Sequence, residues 1–286
     1  MTDPDREVEH PKPLVSGVAS ALSPLVRRIL APNPGVMTGP GTNTYLVGID
    51  EVVVIDPGID DETHLKAIVG CGGDRIRWIV CTHTHPDHSP GAAKLKERTG
   101  AEVLAFESRD GLDIDTPLAD GDRIEATEFR LRAVHTPGHA SNHLCYLLEQ
   151  ERLLFSGDHI MQGSTVVIAP PDGDMAAYLT SLERLRTLKL KAIAPGHGHI
   201  IEDPKAVIDE YVSHRLDRER QVINALRAGD TTIAAVVDRL YAGLIDELVP
   251  RARQSVHAHL RKLVADGKVV TADIDDPEGA WSPVSK

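Results

Sequence analysis

No stretch of this 286-residue chain approaches the ~20 consecutive apolar residues that a membrane-spanning helix needs, so no membrane partner is expected. The opening segment, Met1 to Pro13, is acidic and proline-bearing and lacks the basic-then-apolar order of a secretory signal. Cysteine is scarce. Cys71, Cys81 and Cys145 are odd in number and widely spaced, which excludes a disulfide framework as the organising device. Cys81 and Cys145 fall inside apolar strand-like runs and read as buried thiols, which fits a reducing cytoplasm. Long repeats and low-complexity tracts are missing too. Positive charge is in short supply, with 31 Lys and Arg against 43 Asp and Glu. The deficit belongs to residues 1–204, where 19 cations face 30 anions, whereas residues 205–268 carry 11 against 9. An acidic body argues against broad, non-specific nucleic-acid binding. What is present is ordinary for a folded protein: 41% hydrophobic and 26% charged residues exclude wholesale disorder. The length suffices for one large core, with or without a small appendage.

Through about residue 200, short β-rich runs alternate with amphipathic helical runs. The pattern predicts strands at Asn43–Val47, Val52–Asp56, Arg77–Cys81, Glu102–Phe106, Phe129–His135, His143–Leu148, Leu153–Ser156 and Ala192–Ala194. It predicts helices at Asp61–Val69, stopped by Gly70, at Gly91–Arg98 and at Tyr178–Thr187. From Pro204 the pattern changes to three helices: one running on to Gly229, one over Ile233–Tyr241 and one over about Arg253–Asp266. A turn at Gly267 then leads into a short strand. Helix, helix, helix and strand hairpin is the order of a winged helix. A helical appendage that packs on the body or makes a homodimer fits the same pattern.

Seven residues stand out as metal ligands, nearly all at one topological position, the end of a strand. His83, His85, Asp87 and His88 follow the Arg77–Cys81 strand; His139, Asp158 and His197 each follow a later one. Histidines at i and i+2 of an extended segment point the same way, so His83 and His85 can grip one ion. Asp87 and His88, next along, can face a second. Imidazole and carboxylate suit zinc, and manganese or iron accept them as well. A carboxylate has two oxygens and one charge, which makes Asp158 the natural bridge between two cations. One surface histidine would mean little, but four ligand types within six residues followed by three later singles are different evidence. Of the remaining histidines, His10, His64, His214, His257 and His259 read as surface or packing residues. His135, His143, His159 and His199 read as supports of the ligands or as substrate-facing groups.

These residues resemble the metallo-β-lactamase fold superfamily, whose H-x-H-x-D-H hallmark corresponds to His83–His88. The resemblance covers about residues 25–203 and implies an α/β fold, a four-layer αβ/βα sandwich with two metals at one edge. His83, His85 and His139 would hold the first, Asp87, His88 and His197 the second, with Asp158 bridging. A narrower resemblance joins Asn33-Pro-Gly35, Gly41–Gly48, Ile55-Asp-Pro-Gly58, His135–His139 and Tyr211–Arg215 to the beta-lactamase-like protein 2 subgroup. That subgroup carries a C-terminal winged helix, which implies an N-terminal tail at 1–24, a catalytic domain at 25–203 and a winged-helix domain at 204–286. Its characterised members include single-strand-specific endoribonucleases, and close relatives include thioesterases acting on carrier-bound acyl chains. This chain departs from the usual pattern at Ala140-Ser-Asn-His143 and at His199, where proline is usual.

The expected enzyme is therefore a cytoplasmic metallo-hydrolase with two divalent cofactor ions, zinc foremost. Such ions lower the pKa of a shared water from ~15.7 toward ~7. Asp87 would orient the attacking oxygen, and His159 or His199 would protonate the leaving group. The resemblance puts single-stranded RNA first as substrate. The alternatives are a thioesterase or glyoxalase-II-like acyl hydrolase, a weak β-lactamase, and a non-enzymatic metal-bound scaffold whose winged helix recruits a partner.

Overall fold

The computed structural model describes residues 13–284; His10 and the first half of the expected 1–24 tail lie outside the described residues. Two sheets form the body. The first runs in chain order: β1 (Ser20–Ala21), β2 (Val26–Leu30), β3 (Asn43–Val47), β4 (Val52–Ile55), β5 (Ile76–Val80), β6 (Glu102–Ala105) and β7 (Thr116–Pro117). Its first four strands are antiparallel, and β4 to β7 are parallel. The second orders β8 (Arg123–Glu125), β9 (Arg130–His135), β10 (Leu144–Leu148), β11 (Leu153–Gly157) and β12 (Ala192–Pro195) from one edge to the other.

Tyr45, Val53, Val80, Phe129, Leu144, Tyr146 and Phe155 fill the space between the sheets. The outer face of the first sheet is covered by α1 (Glu62–Gly72) and α2 (Gly91–Thr99), through Leu65, Ile68, Ala92 and Leu95. The second sheet is covered by α3 (Met175–Arg186) and by α4 (Pro204–Arg227), the latter through Ile208 and Tyr211. Every position of β3, β4, β10 and β11 is buried, as strands covered on both faces must be. The expected αβ/βα sandwich is the observed one.

After α4 come α5 (Ile233–Leu240), α6 (Val249–Ala265) and the hairpin of β13 (Val269–Thr271) with β14 (Trp281–Pro283), which together make the winged helix. Its core gathers Val222, Val236, Val256, Leu260, Leu263 and a fully buried Trp281. This unit packs back on the body, since Ala258 of α6 joins Tyr178 and Leu182 in one apolar cluster.

Several boundaries need correction. α6 starts at Val249, not near Arg253, because Pro250 occupies the first turn, where its missing N–H costs nothing. Helix α1 passes Gly70 and ends at Gly73, whose φ of 63° and N–H bond to Val69 O close the last turn. Three histidines read as surface or packing residues are interior groups. His64 bonds Thr44 Oγ1 at 2.8 Å, His257 Nε2 donates to Ile274 O at 2.9 Å, and His259 has no exposure at all.

Candidate metal centre

The body places its chemistry where strands end. β5 delivers residues 83–88, β9 leads to His139, β11 to Asp158 and β12 to His197, all at one rim of the sandwich. The parallel pairings β4–β5 and β11–β12 turn the carboxyl ends of those strands the same way, so their loops converge. Gly196 is required by that convergence. A Cβ there would meet Asp158 Oδ1 and His88 Cε1, both at 2.8 Å.

All seven residues singled out in the sequence come together. His85 Nδ1 lies 2.9 Å from His83 Nε2 and 3.0 Å from His139 Nε2. Beside this trio, Asp87 Oδ2 lies 3.3 Å from His88 Nε2 and 3.2 Å from His197 Nε2. Asp158 stands between the groups: Oδ1 is 3.4 Å from His88 Nε2 and 3.2 Å from His197 Nε2, and Oδ2 is 3.8 Å from His139 Nε2. Three overlapping sets meet the spacing of metal donors: His83–His85–His139, His83–His88–Asp158 and Asp87–His88–His197.

The residues present fit divalent cations. His88 Nε2 and Asp158 Oδ1 are fully buried, face each other and have no hydrogen-bond partner among the described residues. Orphaned buried donors and acceptors are rare and costly, and a cation between them removes the cost. Electrostatics points the same way. Burial, reinforced by repulsion from His88 and His85, keeps His83 neutral well below its ordinary range. Burial and His139 bring His85 down to about 4, so both imidazoles offer lone pairs at neutral pH. Burial opposes ionisation of Asp158 and Asp87, but the fields of His88 and His197 outweigh it and keep both carboxylates charged. The same carboxylates raise His197 to about 9 against its burial. Two half-buried carboxylates held ionised this way call for positive charge at the same place, which divalent cations supply.

Behind the ligands runs a second layer that the sequence pattern does not single out. Asp56, at a left-handed φ of 50°, accepts from His88 Nδ1 through Oδ2 at 2.9 Å. It also accepts from Thr82 Oγ1 at 2.8 Å and, through Oδ1, from Thr82 N at 2.7 Å. Since Thr82 spends its hydroxyl proton on Asp56, its oxygen accepts from His83 Nδ1 at 2.9 Å. His139 Nδ1 donates to Val167 O at 2.7 Å and His197 Nδ1 to Gly41 O at 3.2 Å. Each bond fixes a tautomer and aims the far nitrogen at the centre. Asn43 ties β3 to the same rim, its side-chain amide donating to Pro195 O and Gly198 O. The signal for Asp56 is the Ile55-Asp-Pro-Gly58 motif, which marks a resemblance without declaring its chemistry.

The four flanking histidines divide. His143 packs on His83 with ring centroids 5.1 Å apart, and its Nδ1 pairs with Thr136 Oγ1. His159 is fully buried against Tyr178. His135 stacks on Phe106, and His199 lies beside Arg28. Neither His159 nor His199 lines the cleft above the ligands, so the expected proton donor is found in neither. That cleft, about 470 Å³, is lined by His85, Asp87, His139, Asp158 and His197 and by the apolar Met37, Met161, Val166 and Val167, with Asp172, Arg251 and Gln254 also at its edge.

Fold and centre agree with sequence comparison. Residues 37–197 match the Metallo-beta-lactamase superfamily, and residues 232–281 match the Beta-lactamase associated winged helix domain. The chain belongs to the metallo-beta-lactamase superfamily of hydrolases. It is similar to a Beta-lactamase-like protein 2 homolog of Caenorhabditis elegans, 33% identical over 260 residues and covering 87% of each chain. It is also similar to an Atrochrysone carboxyl ACP thioesterase of Aspergillus chevalieri, 34% identical over 87% of this chain and 83% of that one. A crystal structure of a metallo-beta-lactamase family protein from Thermus thermophilus shares the fold, with a TM-score of 0.78 at 23% identity. The match covers 92% of this chain and all of that one. No helix among the described residues is long and apolar enough to cross a membrane.

Proposed function

We propose that the protein is a two-metal acyl-thioester hydrolase, its catalytic body at 25–203 and its helical unit at 204–286. The observation that carries this reading is the apolar contribution of Met37, Met161, Val166 and Val167 to the lining of the cleft that holds the ligand carboxylates. Such a lining suits an acyl chain better than the polar bases of RNA. The thioesterase relative supports it.

His83, His85 and His139 would hold one ion, Asp87, His88 and His197 the other, and Asp158 both. Zinc suits this donor set, with manganese or iron accepted. Bound there, the ions supply Lewis-acid chemistry, making water more acidic and polarising the scissile carbonyl. Asp87 is the ligand carboxylate most open to the cleft, its side chain 24% exposed against 14% for Asp158. Held ionised, it accepts a hydrogen bond from the attacking water and aims its oxygen at the carbonyl carbon. Thr42 Oγ1, 3.3 Å from Asp87 Oδ2, steadies that carboxylate. The apolar lining excludes bulk water from the acyl side. A thiolate leaving group departs without protonation, which accords with the absence of His159 and His199 from the cleft.

Cleavage of single-stranded RNA is the second reading, favoured by the slightly basic helical unit beside the cleft. Metal-loaded protein should hydrolyse a medium-chain acyl thioester, and Asp87→Ala should slow it by about 10³-fold or more with the fold retained. Cleavage of a short single-stranded RNA, abolished by the same substitution, with no thioester turnover would overturn the proposal.

A further inference from the structure

The cleft does not end at the metal ligands. A second cavity of about 400 Å³ shares Met37, Met161, Val166, Val167, His197 and Arg251 with the first, so the two adjoin. In this second cavity the helical unit supplies part of the wall: His214, Arg215 and Arg218 from α4, and Arg251 from α6. No aspartate or glutamate lines it. In a chain with 43 acidic residues against 31 basic ones, that is a local inversion of charge.

Several arginines elsewhere are neutralised, as in Arg184–Asp120 at 2.8 Å, Arg186–Asp209 at 2.8 Å and Arg109–Asp172 at 2.9 Å. Arg215 is committed to the scaffold, donating to Val166 O with its guanidinium over the Tyr178 ring. Arg218 and Arg251 are different. Their side-chain hydrogen bonds go to Gln221 and Gln254, at 2.9 and 3.2 Å, and neither has a carboxylate partner among the described residues. The Arg218 guanidinium is held over Tyr241, 4.2 Å from the ring centroid, which fixes its orientation without spending its charge. Two available guanidinium forks beside a partly apolar cleft match a phosphate.

We propose that Arg218 and Arg251 form a subsite for the phosphate of a phosphopantetheine-linked acyl thioester. The inference rests on the acyl-thioester reading above. Arg251 borders both the ligand cleft and the arginine-lined cavity, so a substrate whose carbonyl meets the ligands can extend its thiol-side arm toward the arginines, away from the acyl chain. Coenzyme A and a carrier protein both present this phosphate, and both sources share the subsite.

The test compares decanoyl-phosphopantetheine with decanoyl-pantetheine, which differ only in the phosphate, on the full-length metal-loaded protein. Binding of phosphopantetheine itself is followed by calorimetry. For Arg218→Gln with Arg251→Gln, KM for the phosphorylated ester should rise about ten-fold or more relative to KM for the unphosphorylated one. The Kd of phosphopantetheine should weaken by a similar factor, and the charge-keeping Arg218→Lys with Arg251→Lys should retain most of the affinity. Arginine-dependent KM values with the decanoyl-CoA ester or with a decanoyl carrier protein support the subsite and say which source presents the phosphate. Equal KM changes on both pantetheine esters, or an unchanged Kd, overturn it. Arginine-dependent binding of phosphopantetheine without turnover of any ester keeps the subsite and removes the hydrolase reading. Turnover of both esters without arginine dependence does the reverse. Arginine-dependent binding of single-stranded RNA, with none of phosphopantetheine, overturns the subsite in favour of a nucleic-acid site.

Discussion

The metal centre and the C-terminal helical unit differ in what their buried hydrogen bonds do. Both hold polar atoms unpaired among the described residues, at the centre His88 Nε2, Asp158 Oδ1 and both ring nitrogens of the adjacent His159. Around the centre, His83, His88, His139 and His197 each have the nitrogen facing away from the ligand cluster engaged by a hydroxyl, carboxylate or carbonyl. In the helical unit, both ring nitrogens of His259 and the indole N–H of Trp281 are buried without a protein partner among the described residues. One region spends hydrogen bonds on aiming a few atoms. The other is held by apolar packing and carries unpaired polar atoms as a cost. Geometry should therefore be the sensitive quantity in the first region, and stability in the second.

The largest expected effect tests the packing side. Trp281 is fully buried in the apolar cluster of the helical unit, and Trp281→Ala should lower stability by about 3–5 kcal/mol. Denaturant unfolding followed by circular dichroism checks this, and metal content at low denaturant should be unchanged. A parallel loss of metal would erase the distinction between the regions. Next comes the aiming side. Asp56→Asn removes the charge that takes His88 Nδ1–H and Thr82 Oγ1–H together. Metal affinity should fall about 10–100-fold by chelator competition, with a smaller change in unfolding midpoint.

The smallest effect is a dependence on pH. Burial, then repulsion from Arg215, Arg218, Lys262 and His214, brings His259 down to about 3. Unfolding returns it to its ordinary ~6.5. The unfolded state therefore binds more protons between these values, and stability falls as pH drops from about 6.5 toward 3. At pH 5.5 the loss from this one group is on the order of 1 kcal/mol. His259→Leu should flatten that limb of the stability curve, and an unchanged slope would show that His259 gains a proton partner on folding.

Much of this was legible in the residues. The fully buried strands announced themselves as short apolar runs, and the seven ligand residues declared themselves by type and by their position after strands. What stayed hidden depended on contacts that sequence spacing does not encode. β2 carries Arg27 and Arg28 in its middle, and β8 offers a single apolar residue, Ile124, between two charges, so neither shows a clear period. The role of Asp56 follows from its left-handed backbone and from a threonine 26 positions away. The sequence leaves His64 and His259 as surface or packing residues, and the choice is made only when Thr44 and the arginines of α4 are brought against them. The apolar wall of the cleft is drawn from Met37 and from residues 161–167, which share no element and no pattern.

The 161–167 segment also bears on how this protein was assembled. Tyr211 Oη donates to carbonyls of that segment, Arg215 donates to Val166 O, and the next carbonyl, Val167 O, receives His139 Nδ1–H. Helix α4 thus grips one side of a short ribbon whose other side orients a metal ligand. The appended unit cannot be exchanged as a self-contained cassette. A chimera that grafts a foreign helical unit after residue 203 inherits an intact ligand set and a slack ribbon, unless the graft brings a tyrosine and an arginine in register.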